Sequence, residues 1–274
     1  MKLIRYVDPK GDIRFGHIGV SGDYFELEGE LLGPHLPTHR SAQVSQLLAP
    51  ISPPAILCIG LNYRKHAEET DQPIPQFPVL FMKQPAALQH PYAPIVIPET
   101  LRSTQVDFEG ELVVVIGRRC KNVTRTDAHH YILGYTCGND VSARDWQKQW
   151  GGGQFCRGKT FDTFAPLGPC ITTIDEVSDP SKLHITTRLN GEVMQSTPTS
   201  DLIFSVYELI EFLSGSTTLQ PGTVIFTGTP SGVGTARKPP VYLKTGDLVE
   251  VEISGIGVLS NPVVTETAAG EQVV

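Results

Sequence analysis

Val106-Asp107-Phe108-Glu109-Gly110-Glu111-Leu112-Val113-Val114-Val115-Ile116 sets three carboxylates, on alternate residues, at the head of an apolar run. In an extended strand the side-chain period is two, so Asp107, Glu109 and Glu111 share a face with Val113 and Val115. An acidic row continuing a valine face belongs at the mouth of something buried. Like charges crowded there repel, and each resists ionising away from water unless a cation neutralises it. The D-x-E-x-E spacing alone also fits an edge strand with a solvated acidic face. The continuation Leu-Val-Val-Val-Ile, apolar on both faces, argues for a central strand. The run is therefore read as a candidate divalent-metal site.

Working outward, the chain of 274 residues is long enough to bury a sizeable core. A formal charge of −7 offers no field for nucleic acid or an anionic membrane. No apolar run approaches the roughly 18 residues that a membrane helix requires. The opening Met1-Lys2-Leu3-Ile4-Arg5-Tyr6 has neither a signal-peptide core nor a transit-peptide composition, so a cytoplasmic location is expected. The cysteines (Cys58, Cys120, Cys137, Cys156 and Cys170) are odd in number and never spaced C-x-x-C, which indicates neither a zinc knuckle nor a disulfide framework.

Residues 1–50 read as a small β-rich module, with strands near Lys2–Val7, Ile13–Ile18 and 24–28 separated by turn residues. Residues 51–274 read as the catalytic domain, opening on the buried strand Ala55-Ile56-Leu57-Cys58-Ile59-Gly60. Helices are few. One runs from Asn62 as N-cap to about Thr70, a second over 127–133, and the clearest over 201–214, capped by Asp201. Strands are expected at 183–189, 223–227 and 248–254. The class is α+β, predominantly β.

Several side chains are candidates for chemistry. Asp140, after the strand-like Tyr135-Thr136-Cys137, is placed to converge with Glu109 and Glu111 as a third oxygen ligand of the kind Mg²⁺ takes, or serves with Asn139 and Asp145 as a turn or cap residue. His66 and Glu69, at i and i+3, are neighbours on one helix face, an arrangement that fixes an imidazole tautomer for general-base work, or His66 is simply an exposed histidine in the charged helix from Arg64 to Glu69. Gly153-Gln154-Phe155-Cys156-Arg157-Gly158-Lys159-Thr160 matches the Walker A pattern, but no buried strand precedes it and Pro166 and Pro169 forbid a long helix after it. Nucleotide binding is rejected, and Lys159 is kept as a fixed cation for a substrate carboxylate. The loop Gly228-Thr229-Pro230-Ser231-Gly232-Val233-Gly234 is placed to present backbone N–H groups to an anion, or is a plain turn.

Taken in order, these segments resemble the fumarylacetoacetate hydrolase superfamily over nearly all of residues 55–264. The matching stretches are Ile59-Gly60-Leu61-Asn62-Tyr63 with His66 and Glu69, Pro78-Val79-Leu80-Phe81-Met82-Lys83, residues 107–116, and Asn139-Asp140-Val141-Ser142-Ala143-Arg144-Asp145. The series continues with residues 158–169, Leu189-Asn190-Gly191-Glu192 and residues 226–234. The likeness is strongest to the domain-containing branch of that superfamily. It implies a mixed β-roll with few short helices, assembled as a homodimer. It also implies Mg²⁺ or Mn²⁺ on Glu109, Glu111 and Asp140, catalytic work by His66, Glu69 and Lys159, and substrate contacts from Arg144, Gln147, Lys159 and Thr229. Asp107 then supports the ligands rather than joining them. One departure stands out: Phe81-Met82-Lys83-Gln84-Pro85-Ala86-Ala87 displaces a proline and lacks a hydroxyl residue that many relatives carry beside the substrate.

The chemistry so implied is that of a metal-dependent enzyme acting on a small 2-oxo acid through a metal-stabilised enolate. Oxaloacetate tautomerase or decarboxylase activity and acylpyruvate C–C bond hydrolysis are the expected outcomes. The alternatives are an isomerase or hydratase of aromatic catabolism or specialised metabolism, or a non-catalytic relative that binds metal and metabolite.

Overall fold

Gly110–Ile116 lies inside a 12-stranded sheet, flanked by Ile132–Asn139 on one side and Val224–Phe226 on the other. The computed structural model describes residues 1–267. The central position follows from the strand's two apolar faces. Val113 and Val115 pack with Cys58, Phe81 and Phe226, whereas Leu112, Val114 and Ile116 pack with Leu209, Ile210 and Leu213 of the helix Val206–Ser214. Each such side chain taken fully from water contributes about 1.5–3 kcal/mol, so a one-residue register slip would be strongly disfavoured.

Beyond Val224–Phe226 the sheet continues through Ile56–Gly60, in parallel, to an edge at Val79–Lys83. In the other direction it runs through Ala165–Thr173 to Lys2–Val7 and the meander Ile13–Ile18, Tyr24–Gly29 and His35–Ser41. Lys2 pairs with Thr172 and Leu3 with Ile171, so one sheet crosses the sequence boundary at residue 50. A second sheet of five strands contains His184–Leu189, Glu192–Pro198, Leu248–Ile253, Gly257–Thr265 and Ile95–Ile97. Ile185, Val251, Ile253 and Leu259 of this sheet join the Leu112 face of the first. The architecture is predominantly β with few short helices, as expected.

Local differences have identifiable causes. The acidic stretch is not one strand. Val106–Asp107 pairs with Ser142–Ala143, Phe108 and Glu109 belong to neither strand, and only Gly110–Ile116 enters the large sheet. Asn62 does not cap the helix Arg64–Glu69. Its side chain is buried and ties two loops, donating to the Thr227 and Phe204 carbonyls and accepting from Phe204 N at 2.8 Å. Asp201 caps a different helix from the one expected: it accepts from Lys65 N at 3.1 Å. Ser205 caps Val206–Ser214 in a capping box with Glu208. The expected helix over 127–133 is a 3-10 turn, Ala128–Tyr131. Ala165–Thr173 is a strand despite Pro166 and Pro169. Its register with Ile132–Asn139 shifts between Tyr135 and Cys137, which leaves Pro169 outside the regular ladder.

Candidate active site

Glu109 lies in the break between Val106–Asp107 and Gly110–Ile116, Glu111 lies near the start of the latter, and Asp140 follows Ile132–Asn139. The antiparallel pairing of Gly110 with Asn139 brings the three together. One oxygen of each lies within 4.8 Å of the others, and all three residues are buried. Asp140 N donates to the Glu109 carbonyl at 2.8 Å, and Glu109 N donates to Asn139 Oδ1 at 2.9 Å, which locks the two turns to each other.

Three buried cations brace the cluster. Lys159 Nζ lies 2.7 Å from both Glu109 Oε2 and Asp140 Oδ2. Lys83 Nζ lies 2.7 Å from Asp140 Oδ1 and donates to the carbonyls of Val141, Lys159 and Phe164. Arg144 Nη1 contacts Glu109 Oε1 at 2.6 Å and Gln147 Oε1 at 3.0 Å, while Nε and Nη2 lie against Asp107. The sequence reading treated Arg144 as a substrate contact. Here its donors hold Glu109, Gln147 and Asp107, so it first positions the acids.

Asp107 carries no open face. It also accepts from the backbone N–H groups of Phe108, Gly234 and Thr235. The Gly-rich loop does present N–H groups to anions, but the anions are the protein's own. Gly228 N donates to Glu111 Oε2 at 2.7 Å, and Gly232 N donates to both Glu69 oxygens. Gly228 sits at φ +103°, where a Cβ would come within 2.7 Å of Asn62 Cβ, so the approach to Glu111 requires glycine.

The electrostatics separate the acids. Burial opposes ionisation of Glu109, yet Arg144 and Lys159 outweigh it and hold this carboxyl well below the usual range. Glu111 moves the opposite way. Burial, then repulsion from Asp140 and Glu109, push it well above the usual range. No salt bridge reaches Glu111 among the described residues. Asp107, Glu109, Glu111 and Asp140 face Lys83, Arg144 and Lys159, one acid in excess. Oxygen donors, close convergence and an unneutralised third carboxylate fit a hard divalent cation. Glu109, Glu111 and Asp140 could hold one.

These acids form the floor of a cavity of about 440 Å³, walled by Ile59, Leu61, Val79, Phe81, Phe155 and Val233. Phe81 shares a cluster with Val113 and Val115, so Glu111, on the same strand, does continue the valine face. His66, Arg144, Gln147, Lys159 and Thr229 also line the cavity. His66 Nδ1 lies 3.1 Å from Glu69 Oε2, leaving Nε2 free. Thr229 Oγ1 donates to the Gly110 carbonyl and accepts from Gln195 Nε2 at 2.8 Å. Glu109, Glu111, Asp140, His66, Arg144, Gln147, Lys159 and Thr229 are thus all at the cavity, Glu69 stands directly behind His66, and Asp107 lies behind Arg144.

The sequence reading missed Lys83 and Gln195. Lys83 ends an edge strand, but it shares a face with Phe81 at period two, and a lysine aligned with a buried aromatic was the available signal. Nothing local marked Gln195. The altered segment Gln84 to Ala87 does not line the cavity: Gln84, Pro85 and Ala86 are exposed, and Gln84 N donates to Thr160 Oγ1.

Fold and site together define an enzyme with a buried carboxylate centre competent for a metal. The model of the C-terminal domain of fumarylacetoacetate (FAA) hydrolase matches residues 55–264. A Bos taurus protein named oxaloacetate tautomerase FAHD2A, mitochondrial, is 48% identical over 234 residues, covering 85% of this chain and 74% of its own. Among solved structures, 2-hydroxyhepta-2,4-diene-1,7-dioate isomerase from Mycobacterium marinum superposes with a TM-score of 0.84 at 40% identity, over 97% of this chain and 99% of that one. A fumarylacetoacetate hydrolase from Exiguobacterium antarcticum gives 0.84 at 37% identity, over 97% and 100%. The chain belongs to the fumarylacetoacetate hydrolase family of enzymes.

Proposed function

We propose that this protein is a divalent-metal-dependent enzyme acting on a small 2-oxo acid, with tautomerisation of oxaloacetate as its first activity. The observation that carries the reading is the buried Glu109–Glu111–Asp140 cluster, short of one positive charge, at the floor of a small cavity edged by a free imidazole nitrogen. The 48% identity to a protein named oxaloacetate tautomerase supports the choice of substrate. Mg²⁺ or Mn²⁺ suits the all-carboxylate donor set, and when bound supplies Lewis-acid polarisation of the 2-oxo group.

The chain's own residues do the rest. The Lys159 ammonium lies on the cavity floor, where it holds Glu109 and Asp140 and stabilises negative charge that develops on the substrate's oxygen. Glu69 accepts from His66 Nδ1 and fixes the tautomer, leaving Nε2 to exchange a proton with the substrate. In the enol-to-keto direction the neutral imidazole, its Nδ1 proton directed at Glu69, accepts the enol proton at Nε2 and then delivers it to C3, so that the enol O–H bond is broken, a C3–H bond is formed and His66 ends as it began. The apolar walls limit water around the reacting carbon.

The Mycobacterium marinum isomerase supports a second reading, double-bond isomerisation of an unsaturated 2-hydroxy dicarboxylate, which uses the same proton transfer. A homodimer is also proposed. The edge strand Val79–Lys83 leaves Leu80 47% and Met82 47% exposed beside Phe77, an apolar edge suited to a second copy. Five free cysteines suit a reducing compartment such as the cytoplasm.

The test uses metal-stripped protein with oxaloacetate and with an acylpyruvate, following enol absorbance with and without Mg²⁺ or Mn²⁺. Metal-restored turnover of oxaloacetate, absent in Glu109→Ala, is expected. Equal turnover in the stripped protein would refute metal dependence, and faster cleavage of the acylpyruvate would replace tautomerisation with hydrolysis.

A further inference from the structure

We propose that Lys148 reads a second carboxylate on the substrate, making this site selective for dicarboxylic over monocarboxylic 2-oxo acids. The inference rests on the reading of the site as one for a 2-oxo acid. Three Lys or Arg side chains line the cavity. Lys159 is engaged by Glu109 and Asp140, and Arg144 by Asp107 and Glu109. Among the described residues Lys148 has no salt bridge and its side chain no hydrogen bond, and it is solvent-exposed as well as cavity-lining. It is the lining ammonium still open to an incoming anion.

Its position suits that task. Arg144, Gln147 and Lys148 stand at i, i+3 and i+4 on the helix Arg144–Lys148, and all three line the cavity. Four residues of helix advance about 6 Å, so Lys148 stands one turn beyond the guanidinium that braces Glu109. A molecule whose 2-oxo acid end lies at the carboxylate floor would carry a distal carboxylate toward that turn. Thr70, Gln72 and Thr235 also line the cavity and offer neutral donors, but none brings the positive charge that Lys148 does.

Charge accounting points the same way. The floor has one acid in excess; a divalent ion reverses that to one net positive charge, and Lys148 adds another. A dianion balances the pair and a monoanion does not. Burial and the neighbouring Arg144 charge also press the Lys148 ammonium toward neutrality, a pressure that a bound carboxylate relieves.

The test measures binding as well as turnover. With Mg²⁺-loaded protein, calorimetry gives Kd for 2-oxoglutarate and for 2-oxobutyrate, which lacks the distal carboxylate. In parallel, enol absorbance gives kcat and KM for oxaloacetate and for phenylpyruvate. Lys148→Met is expected to weaken 2-oxoglutarate about tenfold, in line with the loss of one charge-assisted hydrogen bond. It should leave 2-oxobutyrate within about twofold on the same grounds, and raise KM for oxaloacetate with kcat little changed. Lys148→Arg should restore most of the discrimination. If Lys148→Met shifts both ligands equally, or wild-type protein does not distinguish them, the inference is overturned. Loss of turnover on both substrates with selective binding intact would sink the tautomerase reading and leave the role of Lys148 standing.

Discussion

The floor of the cavity and its rim are built on opposite principles. At the floor, Asp140 is held by Lys83 and Lys159, Glu109 by Arg144 and Lys159, and Asp107 by Arg144 and three backbone N–H groups. At the rim, the six-residue helix Arg64–Glu69 buries only Ala67 and is tied by Asp201 at Lys65 N and by Gly232 N at Glu69. The floor is over-determined, which suits groups that must hold their geometry while charge changes. The rim is lightly held, which suits a general base that must admit a substrate.

The contrast breaks first at Lys83. Lys83→Met leaves the Val141, Lys159 and Phe164 carbonyls without their shared donor and Asp140 without one cation. A loss of about 3–5 kcal/mol in urea unfolding is expected, as for other broken buried pairs. A loss under 1 kcal/mol would show that the floor is less tightly determined than its contacts indicate. His66→Ala should do the reverse. Its kcat should fall about 10²–10⁴-fold, the range for a lost general acid or base. Its urea midpoint and Mg²⁺ affinity should stay unchanged, and a lowered midpoint would make the rim structural.

Glu111 sharpens the comparison through pH. Its folded carboxyl is raised above the usual 4.5, by burial first and then by Asp140 and Glu109. The metal-free fold therefore holds a proton there that the unfolded chain releases. That contribution to stability is complete below about pH 4.5 and is lost as pH rises through the folded value. Metal-free Glu111→Gln should lose less stability than wild type between pH 5 and pH 8, roughly the window that this linkage sets. Metal binding to wild type should release a proton, seen as a buffer-dependent calorimetric heat. An identical pH slope in both proteins would refute the assignment. The smallest effect is expected at Asp201→Ala, about 0.5–1 kcal/mol for a lost cap. It should appear as faster hydrogen exchange over residues 64–69 with no change at the floor.

Much of this was legible in the residues. The apolar run Leu112 to Ile116 marked a central strand with Glu111 at its head, and His66 and Glu69 were neighbours by helical spacing alone, but the expected single strand carrying all three acids is broken between Asp107 and Gly110. Capping and loop roles were not legible. Asp201 stood five residues before the helix Val206–Ser214 and caps another, at Lys65, 136 positions away in sequence. Asn62 read as a cap and is a buried tie between loops, and the Gly-rich loop read as an anion cradle and grips the chain's own Glu111, Asp107 and Glu69.

What the sequence determined by itself was whatever depends on backbone periodicity: the β-rich class, the doubly buried strand, and the face that Glu111 shares with Val113 and Val115. That information is local, because side-chain direction repeats every two residues in a strand and every 3.6 in a helix. Only the tertiary structure decided which cation neutralises which acid, that Arg144 is engaged while Lys148 is not, and that Lys83 belongs to the site. Those pairings are non-local. Burial removes competing water, and each polar group is then satisfied by whatever the fold places within about 3 Å.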